Sequence, residues 1–85
     1  MTVVKICGIT TLDDARMAAE AGADMLGFNF FKRSARYIEP AAARTLCVAL
    51  RAELGAACPL LVGVFVNDLV SRVSLTMEQV GLNFA

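Results

Sequence analysis

The stretch VVKICGIT, residues 3–10, decides how the rest of the chain is interpreted. Its first five residues are apolar or β-branched except for Lys5, and Gly8 follows them directly. Such a run is typical of a short strand in a parallel sheet, and the glycine favours a turn at its end. We therefore predict a first strand near 3–7.

A helix is predicted directly after this strand. Thr11 stands three residues before Asp14, which is the spacing of a residue that caps a helix N-terminus. Small and apolar side chains then recur at helical intervals, and Gly22 is placed to end the helix. These signals predict a helix near 12–21.

The same alternation of strand and helix occurs twice more. Apolar runs predict strands near 25–30 and 60–66, and each follows a turn that contains glycine or proline. Helices are predicted near 40–54, where Pro40 fits the first turn, and near 68–80.

Turn and cap residues set the expected ends of the second and third helices. Gly55 and Gly81 follow their last turns, and Asn67 and Asp68 can cap the start of the third helix. In the second helix, the stripe expected to face the core consists of Ala43, Leu46, Cys47, Leu50 and Leu54. In the third helix, that stripe consists of Leu69, Val70, Val73, Met77 and Val80.

The order β-α-β-α-β-α, followed by the apolar stub Leu82–Ala85, predicts an α/β protein with a parallel sheet. Successive strand starts are 22, 35 and 22 residues apart. Eight such units need roughly 210 residues, which is within the size range of a (β/α)8 TIM barrel. We therefore expect residues 1–85 to form the N-terminal β-α-β-α-β-α portion of such a barrel, as a single incomplete domain.

Composition excludes several classes of function. Eight basic and eight acidic residues give a net charge of zero, so no basic field is available to bind nucleic acid. The longest uncharged stretch, residues 54–67, is interrupted by Gly55, Pro59 and Gly63 and is too short to span a membrane. The N-terminus lacks the features of a signal peptide, so the cytoplasm is the expected location.

The cysteine pattern and the lack of histidine limit the chemistry further. Cys7, Cys47 and Cys58 are odd in number and match neither a disulfide framework nor a zinc site, so we expect reduced thiols and no metal. Without histidine the chain cannot build a Ser-His-Asp arrangement. Neither a phosphate-binding glycine loop nor a dinucleotide fingerprint occurs.

Cys7 is the first candidate functional residue because barrels of this kind place their working groups at the carboxyl ends of strands. Strand alternation puts Lys5 and Cys7 on the face opposite the aliphatic Val4 and Ile6, so we expect them to face the barrel interior. A cation two residues away favours the reactive thiolate, which makes Lys5 a candidate supporting residue. The alternative is that Cys7 is a small buried apolar side chain.

The loop after the second strand, residues 31–38, carries three cations. Arg36 can bind a carboxylate through two parallel hydrogen bonds, and it is the second candidate site residue. Lys32 and Arg33 are better explained as solvated loop charges.

Four blocks, KICGIT (5–10), AGADMLGF (21–28), SARYI (34–38) and VGVFVN (62–67), together resemble the phosphoribosylanthranilate isomerase family of tryptophan biosynthesis. The resemblance implies a (β/α)8 barrel without a cofactor. It also implies an Amadori rearrangement that converts N-(5-phosphoribosyl)anthranilate, a phosphorylated sugar joined to anthranilate, into 1-(2-carboxyphenylamino)-1-deoxyribulose 5-phosphate.

The same resemblance assigns roles to two residues and implies that other parts of the site come from later strands of the barrel. Cys7 matches the general base, and Arg36 matches the arginine that binds the anthranilate carboxylate. Ala35 stands where the family usually has proline, so we expect a less restricted loop around Arg36. The family's general-acid aspartate and phosphate site come from its later strands, which lie after Ala85.

An alternative function follows from the same fold. A three-stranded piece of a barrel leaves an inner sheet face and two strand edges without partners. In this alternative, the chain is a catalytically inactive barrel fragment that self-associates or needs a C-terminal barrel portion as its partner.

Overall fold

The computed structural model describes residues 2–85, in which three parallel strands alternate with three α-helices. In chain order the elements are β1 (Lys5–Cys7), α1 (Leu12–Glu20), β2 (Met25–Asn29), α2 (Pro40–Leu54), β3 (Leu60–Val64) and α3 (Val70–Val80), with a short 3-10 turn at Gly55–Ala57. The sheet order is β1-β2-β3. The predicted α/β fold class with a parallel sheet is confirmed.

The register of the sheet separates two faces. Lys5 pairs with Met25 and Met25 pairs with Leu60, so side chains in the same row point the same way. The face turned away from the helices carries Lys5, Cys7, Met25, Gly27, Asn29, Leu60, Val62 and Val64. The face turned toward the helices carries Ile6, Leu26, Phe28, Leu61 and Gly63. In a closed barrel the first of these faces is the interior, and we call it the inner face.

The core lies between the helices and the other sheet face. Leu26, Phe28 and Leu61 are fully buried there, and they pack in one cluster with Leu50 and Cys47 of α2. Burial of each large apolar side chain contributes about 1.5–3 kcal/mol to folding. The predicted apolar stripe of α2 is therefore the side that packs on the sheet.

A local signal sets the start of α1, whereas the predicted cap residues do not set the start of α3. Thr11 caps α1, and its Oγ1 accepts a hydrogen bond from the backbone N–H of Asp14 at 3.1 Å. The N-cap of α3 is Leu69, so the prediction that Asn67 and Asp68 cap this helix is wrong. Asn67 has a φ of 51°, and Asp68 uses its carboxylate to accept from the N–H of Leu69 and to pair with a side chain of α3.

The predicted stripe of α3 also needs correction. Leu69 and Val70 are exposed, whereas Thr76 and Val80 are the buried residues of this helix. The helix begins at Val70 instead of 68, so Leu69 precedes it and Val70 lies at its exposed first position, whereas Val73 and Met77 are half-buried.

Three strands and α1 are shorter than the predicted spans. β1 begins at Lys5 instead of 3 because the N–H of Val4 donates to the Asp24 carboxylate at 2.7 Å and not to a neighbouring strand. β2 ends at Asn29, after which the chain turns back on itself. β3 ends at Val64. α1 ends at Glu20, one residue early.

The stub at the C-terminal end of the sequence lies beside β3. Phe84 forms a parallel bridge with Val62, and its carbonyl accepts from the N–H of Gly63 at 2.8 Å. The Asn83 side chain accepts from the N–H of Leu61 at 2.8 Å. The sheet therefore continues past β3 in the order that a barrel requires. Within residues 2–85, every helix is too short or too polar to cross a membrane.

Candidate active site

Cys7 lies at the carboxyl end of β1, on the inner face, and its side chain is exposed. Its partner across the sheet is Gly27 of β2, which has no side chain to cover the thiol. The helices pack on the opposite face, where Ile6 contacts the core. The structure therefore does not support the alternative in which Cys7 is a small buried apolar residue.

Lys5 lies on the same face as Cys7, one row further from the carboxyl edge of the sheet, and is exposed. Two residues of strand span roughly 6.6 Å. Within residues 2–85 no carboxylate pairs with Lys5. Its positive charge is therefore uncompensated on the face that carries the thiol.

The loop that carries Arg36 is folded back on β2 by backbone and side-chain hydrogen bonds. The N–H of Tyr37 donates to the carbonyl of Ser34 at 3.2 Å, which closes a turn over Ala35 and Arg36. The N–H of Ile38 then donates to the carbonyl of Asn29 at 3.0 Å. The loop is ordered by these bonds in spite of its lack of regular structure.

Arg36 is held over the turn that follows Cys7. Its Cγ would lie 3.2 Å from a Cβ atom at Gly8, so its aliphatic part packs on the bare backbone of this glycine. Gly8 has a φ of +82°, a conformation that only glycine adopts without strain. Nη1 of Arg36 lies 3.5 Å from the Gly8 carbonyl. The two candidate residues, far apart in sequence, are thus brought to the same edge of the sheet.

The Arg36 guanidinium has capacity left for a ligand. Its only hydrogen bond within residues 2–85 is the long contact with Gly8, and no carboxylate pairs with it. A guanidinium has five N–H donors, and two of them match the two oxygens of a carboxylate. The arrangement can bind a planar carboxylate at the edge of the sheet where β1 ends.

Lys32 and Arg33 are exposed, as expected for solvated charges. Lys32 lies at the rim of a cavity of about 670 Å³ between the loop, the end of β3 and α3, together with Phe30, Phe65 and Tyr37. The rings of Phe30 and Phe65 stack with their centres 5.4 Å apart. Cys7 and Arg36 do not line this cavity.

The other two cysteines pack against the core. Burial raises the pKa of Cys47 to about 11, and burial also raises the pKa of Cys58. Both thiols therefore stay protonated at neutral pH and are poor nucleophiles. Cys7 is the exposed thiol.

Sequence reasoning did not identify three residues that shape the site: Gly27, Asn29 and Ser34. Their contacts join residues of different strands, or of a strand and a loop. Strand alternation could have placed Asn29 on the same face as Cys7, but its hydrogen bond to Ser34 depends on the path of the loop.

These features define a protein of the (β/α)8-barrel class, in which functional groups gather at the carboxyl ends of parallel strands. The chain belongs to the N-(5'-phosphoribosyl)anthranilate (PRA) isomerase family, which it matches over residues 4–85.

Individual relatives agree with this assignment. The chain is 51% identical over 83 residues to the N-(5'-phosphoribosyl)anthranilate isomerase of Citrifermentans bemidjiense, covering 98% of this chain and 38% of that protein. It superposes on the phosphoribosyl anthranilate isomerase of Thermotoga maritima with a TM-score of 0.87 and 43% identity, covering 98% of this chain and 38% of that one. A structure of a phosphoribosyl anthranilate isomerase in complex with reduced 1-(o-carboxyphenylamino)-1-deoxyribulose 5-phosphate gives the same TM-score of 0.87. The chain thus spans about two fifths of the length of its relatives.

Proposed function

We propose that this chain supplies the N-terminal part of the active site of a phosphoribosylanthranilate isomerase. The observation that carries the proposal is the position of Arg36, which packs on Gly8 beside the exposed thiol of Cys7. A guanidinium that can bind a carboxylate and an exposed thiol thus share the carboxyl edge of the sheet, which supports the proposal. Membership of the family supplies the substrate class, a phosphorylated sugar joined to anthranilate. The cytoplasmic location expected from the sequence stays a prediction.

The proposed reaction moves one proton between two carbons of the sugar without net oxidation. After the furanose ring opens to an iminium, the thiolate of Cys7 removes the proton from C2′. The electrons of that C–H bond form the C1′–C2′ double bond, and the π electrons of the C1′=N bond move to the nitrogen, which becomes a neutral amine. The resulting enol gives the ketone when its O–H proton is lost and C1′ is protonated. Arg36 binds the anthranilate carboxylate and fixes C2′ relative to the thiolate. The acid that opens the ring belongs to later strands of the barrel.

Lys5 has a supporting role in this proposal. Its charge lies on the inner face two strand residues from Cys7, where it can interact with negative charge at the site. No step requires Lys5 to donate or accept a proton.

The sheet supports a second candidate function, that of a barrel fragment without activity. Val3, Leu60 and Phe84 expose 62%, 40% and 52% of their surfaces, and β1 has no neighbour on its outer edge within residues 2–85. Apolar side chains beside open strand edges favour association. In this candidate the chain self-associates or binds a C-terminal barrel portion.

Two preparations distinguish these candidates. One is the 85-residue chain alone. The other, which we call the fused barrel, carries this chain in place of the matching 38% of the Thermotoga maritima enzyme. Turnover is followed by the loss of substrate fluorescence, and sedimentation gives the oligomeric state.

We expect turnover in the fused barrel and its loss in the Cys7→Ser variant. A fused barrel that unfolds cooperatively but has no turnover would contradict the proposed function. An inactive 85-residue chain that forms stable oligomers would support the second candidate for the isolated chain.

A further inference from the structure

We infer that Ser34, held by Asn29, is a positioning residue that fixes Arg36 for the substrate carboxylate. This inference rests on the proposed function, because it concerns how the same site holds its substrate. It extends the site to two side chains that do not themselves contact the reacting atoms.

Ser34 Oγ is the centre of the arrangement. It accepts a hydrogen bond from the backbone N–H of Arg36 at 3.1 Å and another from Nδ2 of Asn29 at 3.3 Å. Asn29 lies on β2, on the inner face, so the loop is attached to the sheet through a side chain. The hydroxyl therefore connects a rigid strand to the backbone of the residue that binds the carboxylate.

The second constraint on Arg36 acts at the other end of its side chain. The aliphatic part packs on Gly8, and Nη1 lies near the Gly8 carbonyl. The backbone is thus fixed by Ser34 and the side chain by β1. Removal of the serine hydroxyl would leave the contacts with Gly8 and the backbone bonds that close the turn, but no bond to the N–H of Arg36 itself. The guanidinium would then sample more orientations before it binds a carboxylate.

The turn offers an independent way to restore the lost constraint. Ala35 occupies the second position of the turn closed by Ser34 and Tyr37, a position that proline favours because its ring fixes φ. The N–H of Ala35 makes no hydrogen bond within residues 2–85, so proline at this position would remove no hydrogen bond. Proline at position 35 should therefore order the loop when the serine hydroxyl is absent.

The test measures binding of the reduced product analogue, the ligand of the solved relative, to the fused barrel by titration calorimetry. Ser34→Ala should weaken binding about fivefold and raise KM by the same factor, with kcat changed less than twofold, as expected for a lost hydrogen bond of about 1 kcal/mol. Asn29→Ala should act in the same direction. Ser34→Thr, which keeps the hydroxyl, should bind like the parent.

Two further variants complete the test. Ala35→Pro added to Ser34→Ala should recover most of the lost affinity. Thr45→Ala is the matched control, since it removes an exposed hydroxyl that bonds only within α2, and it should bind like the parent.

Other outcomes would overturn the inference in distinguishable ways. Unchanged affinity in Ser34→Ala, with loss of binding in Arg36→Met, would refute the positioning role and leave the proposed function intact. Unchanged affinity in Arg36→Met would refute the carboxylate contact, and the inference would fall with it. A fall in kcat and in the melting temperature without a change in affinity would show that Ser34 acts only on stability.

Discussion

Sγ of Cys7 lies 3.0 Å from the point where a Cβ atom of residue 27 would stand, so the thiol occupies space that only glycine leaves free. The Cα of Cys7 lies 3.3 Å from the same point, so the backbone of β1 also closes in on Gly27. A side chain at position 27 must therefore displace the thiol.

Gly27→Ala should lower turnover of the fused barrel about tenfold, because the thiol must move by a few tenths of an ångström and a displacement of about 1 Å costs on the order of 100-fold. Ala42→Ser is the control, because it also adds one heavy atom but on an exposed position of α2. Steady-state kinetics with both variants provide the measurement. Turnover of Gly27→Ala within threefold of the parent would show that the thiol has room to move without loss of function.

The three cysteines of the 85-residue chain should react with iodoacetamide in the order of their exposure. At pH 8 we expect Cys7 to be alkylated first, Cys58 more slowly and Cys47 last, because burial raises the pKa of Cys47 to about 11 and shields its thiol. Peptide mass spectrometry over a time course gives each rate. In 6 M guanidinium chloride the three rates should converge, and early labelling of Cys47 in buffer would contradict the fold.

Lys5→Met should slow alkylation of Cys7 about threefold at pH 7, which is the effect of a unit charge roughly 6.6 Å away in water. Lys5→Arg keeps the charge and should leave the rate unchanged. The same mass-spectrometric assay measures both. Equal rates in Lys5→Met and the parent would remove Lys5 from the site.

The ion pair between Arg16 and Glu53 should make part of the stability depend on acid pH. Arg16 donates two hydrogen bonds to the carboxylate, and these lower the pKa of Glu53 below its ordinary 4.5 in the folded state. A lowered carboxyl pKa stabilises the fold above pH 4.5, and this contribution is lost as the pH falls through the folded value.

Urea unfolding of the chain and its Glu53→Gln variant tests this dependence. The parent should have the higher midpoint at pH 7, and the difference should close at pH 3. Because the pair is partly exposed, 1 M NaCl should also reduce the difference at pH 7. A gap that persists at pH 3 would mean that the carboxylate charge is not its cause.

Strong local signals determined which parts of the fold could be predicted. Pro40 and Gly55 mark the two ends of α2, because their backbone conformations begin and end a helix whatever surrounds them. The predicted β1 is too long because the Asp24 side chain accepts a hydrogen bond from the N–H of Val4, a contact between residues 20 positions apart. The start of α3 was also misplaced, because a suitable cap residue in the sequence does not ensure that its side chain bonds the helix, and Leu69 takes that position.

The candidate site was predictable to a similar extent. Strand alternation put Cys7 on the inner face, and the cations of the loop after the second strand made Arg36 a candidate, to which the family resemblance assigned a role. The roles of Gly27 and Asn29 could not be predicted, since they follow from the register between β1 and β2 and from the path of the loop. Packing of this kind depends on three-dimensional neighbours that spacing along one strand does not specify.

The parallel bridge between Val62 and Phe84 has a consequence for how the protein forms during synthesis. Each strand pairs with the next one along the chain, over separations of 20 residues from Lys5 to Met25, 35 from Met25 to Leu60 and 22 from Val62 to Phe84. Because the loop-closure cost rises by only about 0.6 kcal/mol for each doubling of the separation, the three pairings carry similar costs. The nascent chain can thus add strands in the order in which the ribosome releases them, each using the edge left by its predecessor as a template.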